Sequence, residues 1–145
     1  MTPPPPLARR AVLGGIAISL AVPIVACART PARTAIAVYK TPTCACCDGW
    51  VRHLRDADFD ASVTVTPDLV TLRRRHGMPD RLASCHTALV NGYVIEGHVP
   101  AGDVRRLLAQ RPDAVGLSVP GMPLGSPGME TPNGDRDRYD TLLVL

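Results

Sequence analysis

Aromatic side chains are scarce in this chain: one Phe, one Trp and three Tyr, 3% of 145 residues. That scarcity excludes the stacking platforms on which single-stranded nucleic acid is held, and it leaves Val, Leu, Ile and Ala to build a small core. A charge excess is missing as well. The formal balance is +3, and two of those cations, Arg9 and Arg10, lie in a segment expected to be removed; without residues 1–26 there remain 14 Lys+Arg against 13 Asp+Glu, a net +1. With no basic stripe, no nucleic-acid partner is expected. Long hydrophobic runs are also lacking: the uncharged stretch 11–26 falls short of the roughly 20 residues that span a bilayer comfortably. No internal repeat is visible.

What is present begins with an export pattern. Arg9-Arg10, the uncharged stretch and then Cys27 read as a signal over residues 1–26. Ile24-Val25-Ala26-Cys27 has the apolar–apolar–small–Cys form of a lipobox, a reading favoured over a plain cleaved signal that happens to contain a cysteine; Cys27 is then a candidate lipid anchor. Either route puts the mature protein in the periplasm, where disulfides persist. Residues 27–34 read as a linker and 35–145 as one domain.

Residues 35–40 are a continuous apolar run of strand length. Thr43 can cap a helix whose apolar face is Cys47, Trp50, Val51 and Leu54, at the i, i+3, i+4, i+7 spacing. A second strand is expected over 61–65, then a short helix over 69–75 with Thr66 as cap and Pro67 in its first turn, closed by Gly77. Residues 87–90 and 93–98, joined by Asn91-Gly92, form the clearest hairpin pattern. Val104, Leu107 and Leu108 mark a third helix ending near Arg111-Pro112. The order strand, helix, strand, helix, hairpin, helix is that of an α/β, thioredoxin-like domain with a mixed sheet flanked by helices. From 112 to 134 the chain is rich in Pro, Gly and Met, and no regular element is expected there. Residues 141–145 can add an edge strand, which would order the loop by tying both its ends.

The chemistry concentrates in Thr41-Pro42-Thr43-Cys44-Ala45-Cys46-Cys47-Asp48-Gly49-Trp50, which holds three of the five cysteines. Cys44 and Cys47 have redox C-x-x-C spacing, and Cys46 is a surplus thiol. At a helix N-terminus all three are expected to lose protons readily. Three close thiolates repel one another, and a soft cation relieves that repulsion. Cys85 is expected to face them from the segment entering the third strand, an inference that rests on the fold. Thiolate and thioether ligands select Cu(I), zinc less so in this setting, and His86, His98, Met122 and Met129 add borderline and soft donors. Each donor has a plainer role: His98 can end a strand as a polar residue, and the methionines can fill apolar gaps. His53 is assigned to the exposed side of its helix and His76 to a helix C-terminus.

The chain resembles the CopG-like, copper-associated bacterial proteins, a family catalogued as a domain of unknown function. The resemblance covers about residues 35–145. It is carried by residues 38–50, by Leu82-Ala83-Ser84-Cys85-His86-Thr87, by Glu96-Gly97-His98-Val99-Pro100, and by the Pro/Gly/Met segments 116–123 and 125–130. It implies a thioredoxin-like fold in which Cys44, Cys46, Cys47 and Cys85 bind copper or cycle between thiol and disulfide. Cys27 lies outside the shared region.

Copper binding in resistance or homeostasis is therefore the leading expectation, with Cu(I) held singly or as a small thiolate-bridged cluster, Cu(II) reduced at the thiols, and other periplasmic copper-handling proteins as partners. The alternative is a thiol–disulfide oxidoreductase with Cys44 and Cys47 as its catalytic pair. A third reading is a four-thiolate zinc site or a pair of disulfide staples without chemistry. Staples stabilise most when they close long loops, and three cysteines in four residues do not.

Overall fold

The structure, a computed structural model, describes residues 32–145. The expectations for the export segment, for most of the linker and for Cys27 fall outside the described residues. β1 (Thr34–Lys40) leads into α1 (Cys46–Asp56), followed by β2 (Phe59–Val65), α2 (Leu69–Arg75), a 3-10 turn over Asp80–Leu82, β3 (His86–Val90), β4 (Tyr93–Gly97), α3 (Ala101–Gln110), β5 (Gly116–Val119) and β6 (Leu142–Val144). One six-stranded mixed sheet has the order β2-β1-β3-β4-β5-β6. β1–β2 and β4–β5 are parallel, and the other pairs are antiparallel. The α/β, thioredoxin-like expectation holds.

Local chemistry explains most boundaries. Parallel β1 and β2 cannot be joined by a tight turn, so α1 crosses between them. Its Cys47, Trp50, Val51 and Leu54 are all buried, as their spacing predicts. Trp50, Val51 and Leu54 pack with Ile36 and Val38 of β1, Ala88 and Val90 of β3, and Val104 and Leu107 of α3 in one core. The β3–β4 hairpin turns through Asn91 and Gly92, both at positive φ, the backbone that a two-residue hairpin demands.

Four expectations are corrected. Thr43 does not cap α1, which starts at Cys46 with Ala45 as N-cap and no side-chain bond. The Cys44 N–H instead turns back to the Thr41 carbonyl at 3.3 Å, so Cys44 sits in a tight turn ahead of the helix. Asp68, not Thr66, caps α2, accepting from the Thr71 N–H at 2.9 Å. β5 forms inside the Pro/Gly-rich segment that was expected to stay irregular. Its four residues are all buried, and ladders with β4 on one side and β6 on the other supply the pairing that composition alone does not reveal. His53 is half-buried rather than solvent-facing, and its Nε2 accepts the Ala101 N–H at 3.0 Å, closing the N-terminus of α3.

The loop after β5 is ordered, as its two tied ends predict. Gly125 N–H bonds to Met129 O at 2.8 Å, Met129 N–H to Ser126 O at 2.8 Å, and Asp137 N–H to Leu124 O at 3.0 Å. The loop lies directly on α1. A β-carbon at Gly49 would come within 2.8 Å of the Gly128 Cα, and one at Gly128, which has φ +83°, within 2.4 Å of the Trp50 nitrogen. Gly128→Ala is therefore expected to lower unfolding free energy by about 2 kcal/mol, from left-handed strain plus overpacking. Urea unfolding checks this, and a loss below 0.5 kcal/mol (about the noise of a neutral surface change) would contradict the packing described.

Candidate metal centre

Cys44 and Cys47 are joined in a disulfide with Cα atoms 5.6 Å apart, while Cys46 and Cys85 are free. The four sulfurs form a tight group: Cys46 lies 3.6 Å from Cys44 and 3.9 Å from Cys85, and Cys47 lies 3.8 Å from Cys85. The first turn of α1 contributes Cys46 and Cys47, and the tight turn just ahead of it contributes Cys44. Cys85 comes from the stretch between the 3-10 turn and β3, forty residues on in sequence but beside the helix in space because β3 pairs with β1.

Three of the four softer donors join this group. Met122 Sδ is 4.0 Å from Cys46 Sγ and half-exposed at the mouth. His98 Nε2 and His86 Nδ1 each lie 3.2 Å from Cys85 Sγ. For Met129 the bonds seen are those of its backbone within the loop. Ligand atoms of Cys44, Cys46, Cys47 and Cys85 all lie within 4.8 Å of one another, and so do those of Cys85, His86 and His98. Cys85 is thus shared between a sulfur set and an imidazole set, a donor chemistry that suits a soft cation.

The tautomer of His98 follows from its neighbour. Its Nδ1 lies 2.8 Å from the Pro127 carbonyl, which can only accept, so Nδ1 carries the proton and Nε2 turns a lone pair to Cys85. This arrangement, a ring held by a carbonyl on its far nitrogen, is how metal-binding histidines are oriented. His86 is fully buried, with its ring 4.3 Å from that of Trp50 and 5.0 Å from that of His98. Its Nε2 is buried without a hydrogen-bond partner. Trp50 Nε1–H is fixed by the Val99 carbonyl at 2.8 Å.

Cys85, His86 and His98 are held uncharged in this state. Burial, then the charge of Cys46 beside it, pushes the Cys85 thiol up to about 12. Burial, then His98, lowers His86 to about 3, and burial lowers His98 too. Cys44 and Cys47 are bonded to each other here, so two of the three sulfurs expected as thiolates carry no charge in this oxidised state, and Cys85 holds its proton because a buried anion without a cation is costly. A bound cation would reverse that preference and release protons.

Sequence reasoning missed two parts of the frame. Lys40 Nζ donates to the Cys44 carbonyl at 3.1 Å and to Asp48 at 2.6 Å, clasping the motif from β1. Its position on the face of Ile36 and Val38 was a readable signal. The Pro127 carbonyl carried no signal, because only tertiary structure brings it to His98.

Buried neutral histidines set a pH dependence for the metal-free protein. The unfolded chain protonates His86 near 6.5, whereas the folded chain does so only near 3. Its contribution is complete above pH 6.5 and is lost as pH falls below it, by up to about 1.4 kcal/mol per pH unit. His53 and His98 are lowered too and act in the same direction. Urea unfolding at pH 7, 6 and 5 should show declining stability; a flat profile would mean that His86 is not held neutral.

Comparisons with known proteins give the chain its family and support its fold. A family described as proteins of unknown function, DUF411, matches residues 82–129. Two solved structures, both described as copper resistance protein CopG, in forms 1 and 2, superpose with TM-score 0.72 at 40% identity. Each match covers 77% of this chain and 87% or 88% of the other. No curated protein sequence matches.

Proposed function

The chain belongs to the family of the copper resistance protein CopG, and from that premise we propose that it is an exported copper-binding protein whose cargo is Cu(I). Cys44, Cys46, Cys47 and Cys85 are the principal ligands, and His98, His86 and Met122 complete the set. The single observation that carries this reading is the meeting of a four-sulfur set and a two-imidazole set at the Cys85 they share. A redox exchange alone requires two thiols. It gives no role to a third sulfur 3.6 Å from the pair or to a lone pair aimed at a fourth.

The Cys44–Cys47 disulfide supports a reducing role as well. Two Cu(II) ions each take one electron from a cysteine sulfur, the two sulfurs join, two protons leave, and two Cu(I) ions remain. Export by residues 1–26 places the domain in the periplasm, with Cys27 as the point of lipid attachment and other copper-handling proteins as its partners there. Met122 is preferred over Met129 as the thioether donor because its Sδ lies 4.0 Å from Cys46 Sγ.

The same disulfide favours one other reading, a thiol–disulfide oxidoreductase acting on proteins through Cys44 and Cys47. The two are separated by one set of measurements. Reduced protein should retain Cu(I) against a moderate Cu(I) chelator, and Cys46→Ser should weaken retention by about 10-fold or more while leaving the Cys44–Cys47 pair able to oxidise. If Cys46→Ser retains Cu(I) unchanged and the protein turns over disulfide substrates, the oxidoreductase reading replaces copper binding.

A further inference from the structure

Cys85 has no regular element of its own. It lies between the 3-10 turn and β3, and ordinary strand pairing reaches it only through an isolated bridge between Ser84 and Gly121. The three residues ahead of it are nonetheless held at every carbonyl. Leu82 O accepts from Ser118 Oγ at 2.8 Å, Ala83 O from the Gly121 N–H at 3.4 Å, and Ser84 O from Arg73 Nη2 at 2.7 Å. The Ser84 N–H donates to Glu96 Oε1 at 2.6 Å, and Arg73 Nε donates to that same oxygen at 2.9 Å. Thr87 Oγ1 donates to Glu96 Oε2 at 2.6 Å. The Ser84 hydroxyl reaches on to the Gly121 carbonyl, next to Met122.

Both charged side chains are out of water, with Arg73 8% and Glu96 0% exposed. Such a buried pair is a poor source of stability, because desolvation offsets most of its attraction and apolar replacements often do as well. Geometry is where this pair is specific. Its two members grip the two backbone groups of a single residue, the N–H by the carboxylate and the C=O by the guanidinium. Gly97, one residue beyond Glu96, presses on Ser84 so closely that a β-carbon there would lie 2.6 Å from the Ser84 Cβ.

We propose that Arg73 and Glu96 are positioning residues for the centre, a buried clamp on the Ser84 peptide that sets where Cys85 meets the other three sulfurs and where the Met122 loop begins. This rests on the copper reading for its purpose, but not for its geometry. Arg73 is suited to the task because one planar fork spans Glu96 and the Ser84 carbonyl together. Lysine can bond to either and not hold both in one plane.

The test uses the full reduced chain with two readouts. Without metal, site-resolved alkylation by iodoacetamide reports how open Cys85 is, independently of copper. Glu96→Gln and Arg73→Lys should speed alkylation of Cys85 by about tenfold while Cys46 changes little, since local opening of one segment exposes only its own thiol. With Cu(I) and a competing chelator, both variants should lose about 10–100-fold in retention. Val104→Ala, a truncation in the core under α3, serves as the control: it should lose stability and keep both readouts. If Glu96→Gln fails to fold, Arg73→Lys and Thr87→Val decide. The clamp is overturned if folded variants keep Cys85 protected, or if Val104→Ala opens it equally. Wild-type protein that fails to retain Cu(I) counts against the copper reading and leaves the alkylation result to judge the clamp.

Discussion

The indole of Trp50 fixes four parts of the molecule against one another. It is fully buried on α1, its N–H holds the Val99 carbonyl where β4 passes to α3, its ring lies against His86 of β3, and its backbone is where Gly128 of the long loop lands. In a chain with a single Trp and a single Phe, no second large ring duplicates this junction. The scarcity of aromatics noted at the outset therefore has a structural counterpart. The small aliphatic core is keyed by one indole, and the cysteine cluster sits one turn of helix away from it. A helix start carrying Cys46 and Cys47, with Cys44 in the turn just ahead, can be aimed only as well as the helix is seated.

Burial also sets the charge state of the centre. His86 and His98 held neutral and a Cys85 thiol that keeps its proton leave this side of the pocket with a proton to exchange for a cation. The unpartnered His86 nitrogen fits the same picture, since a buried polar atom without a bond is uncommon in native proteins. Beneath the sulfurs the design changes from neutral to ionic. Lys40 and Asp48 clasp the motif on one side, and Arg73 and Glu96 hold the Ser84 segment on the other. Charges are thus present around the centre but paired, so they fix its shape without adding net charge to it.

Much of this was legible in the sequence because it depended on local periodicity. The apolar spacing of Cys47, Trp50, Val51 and Leu54 gave the buried face of α1, Asn91-Gly92 gave the hairpin, and the apolar end of the chain gave the edge strand. The grouping of Cys85 with Cys44, Cys46 and Cys47 was legible only through the fold, since nothing local joins residues forty apart. What escaped was set by tertiary contact. β5 is four residues in a glycine- and proline-rich stretch and owes its existence to β4 and β6. Helix α1 starts three residues after Thr43 because the turn at Cys44 competes with the cap. His53 looked like a surface residue because no sequence pattern shows that the start of α3 lies above it.

The central claim is that these sulfurs, and not nitrogen or oxygen donors alone, hold the metal as Cu(I). X-ray absorption at the copper K-edge of the reduced, Cu(I)-loaded full chain tests this most directly. The account predicts a Cu(I) edge and a first shell dominated by sulfur, with a minor nitrogen contribution from His98. A first shell of nitrogen and oxygen only would contradict it.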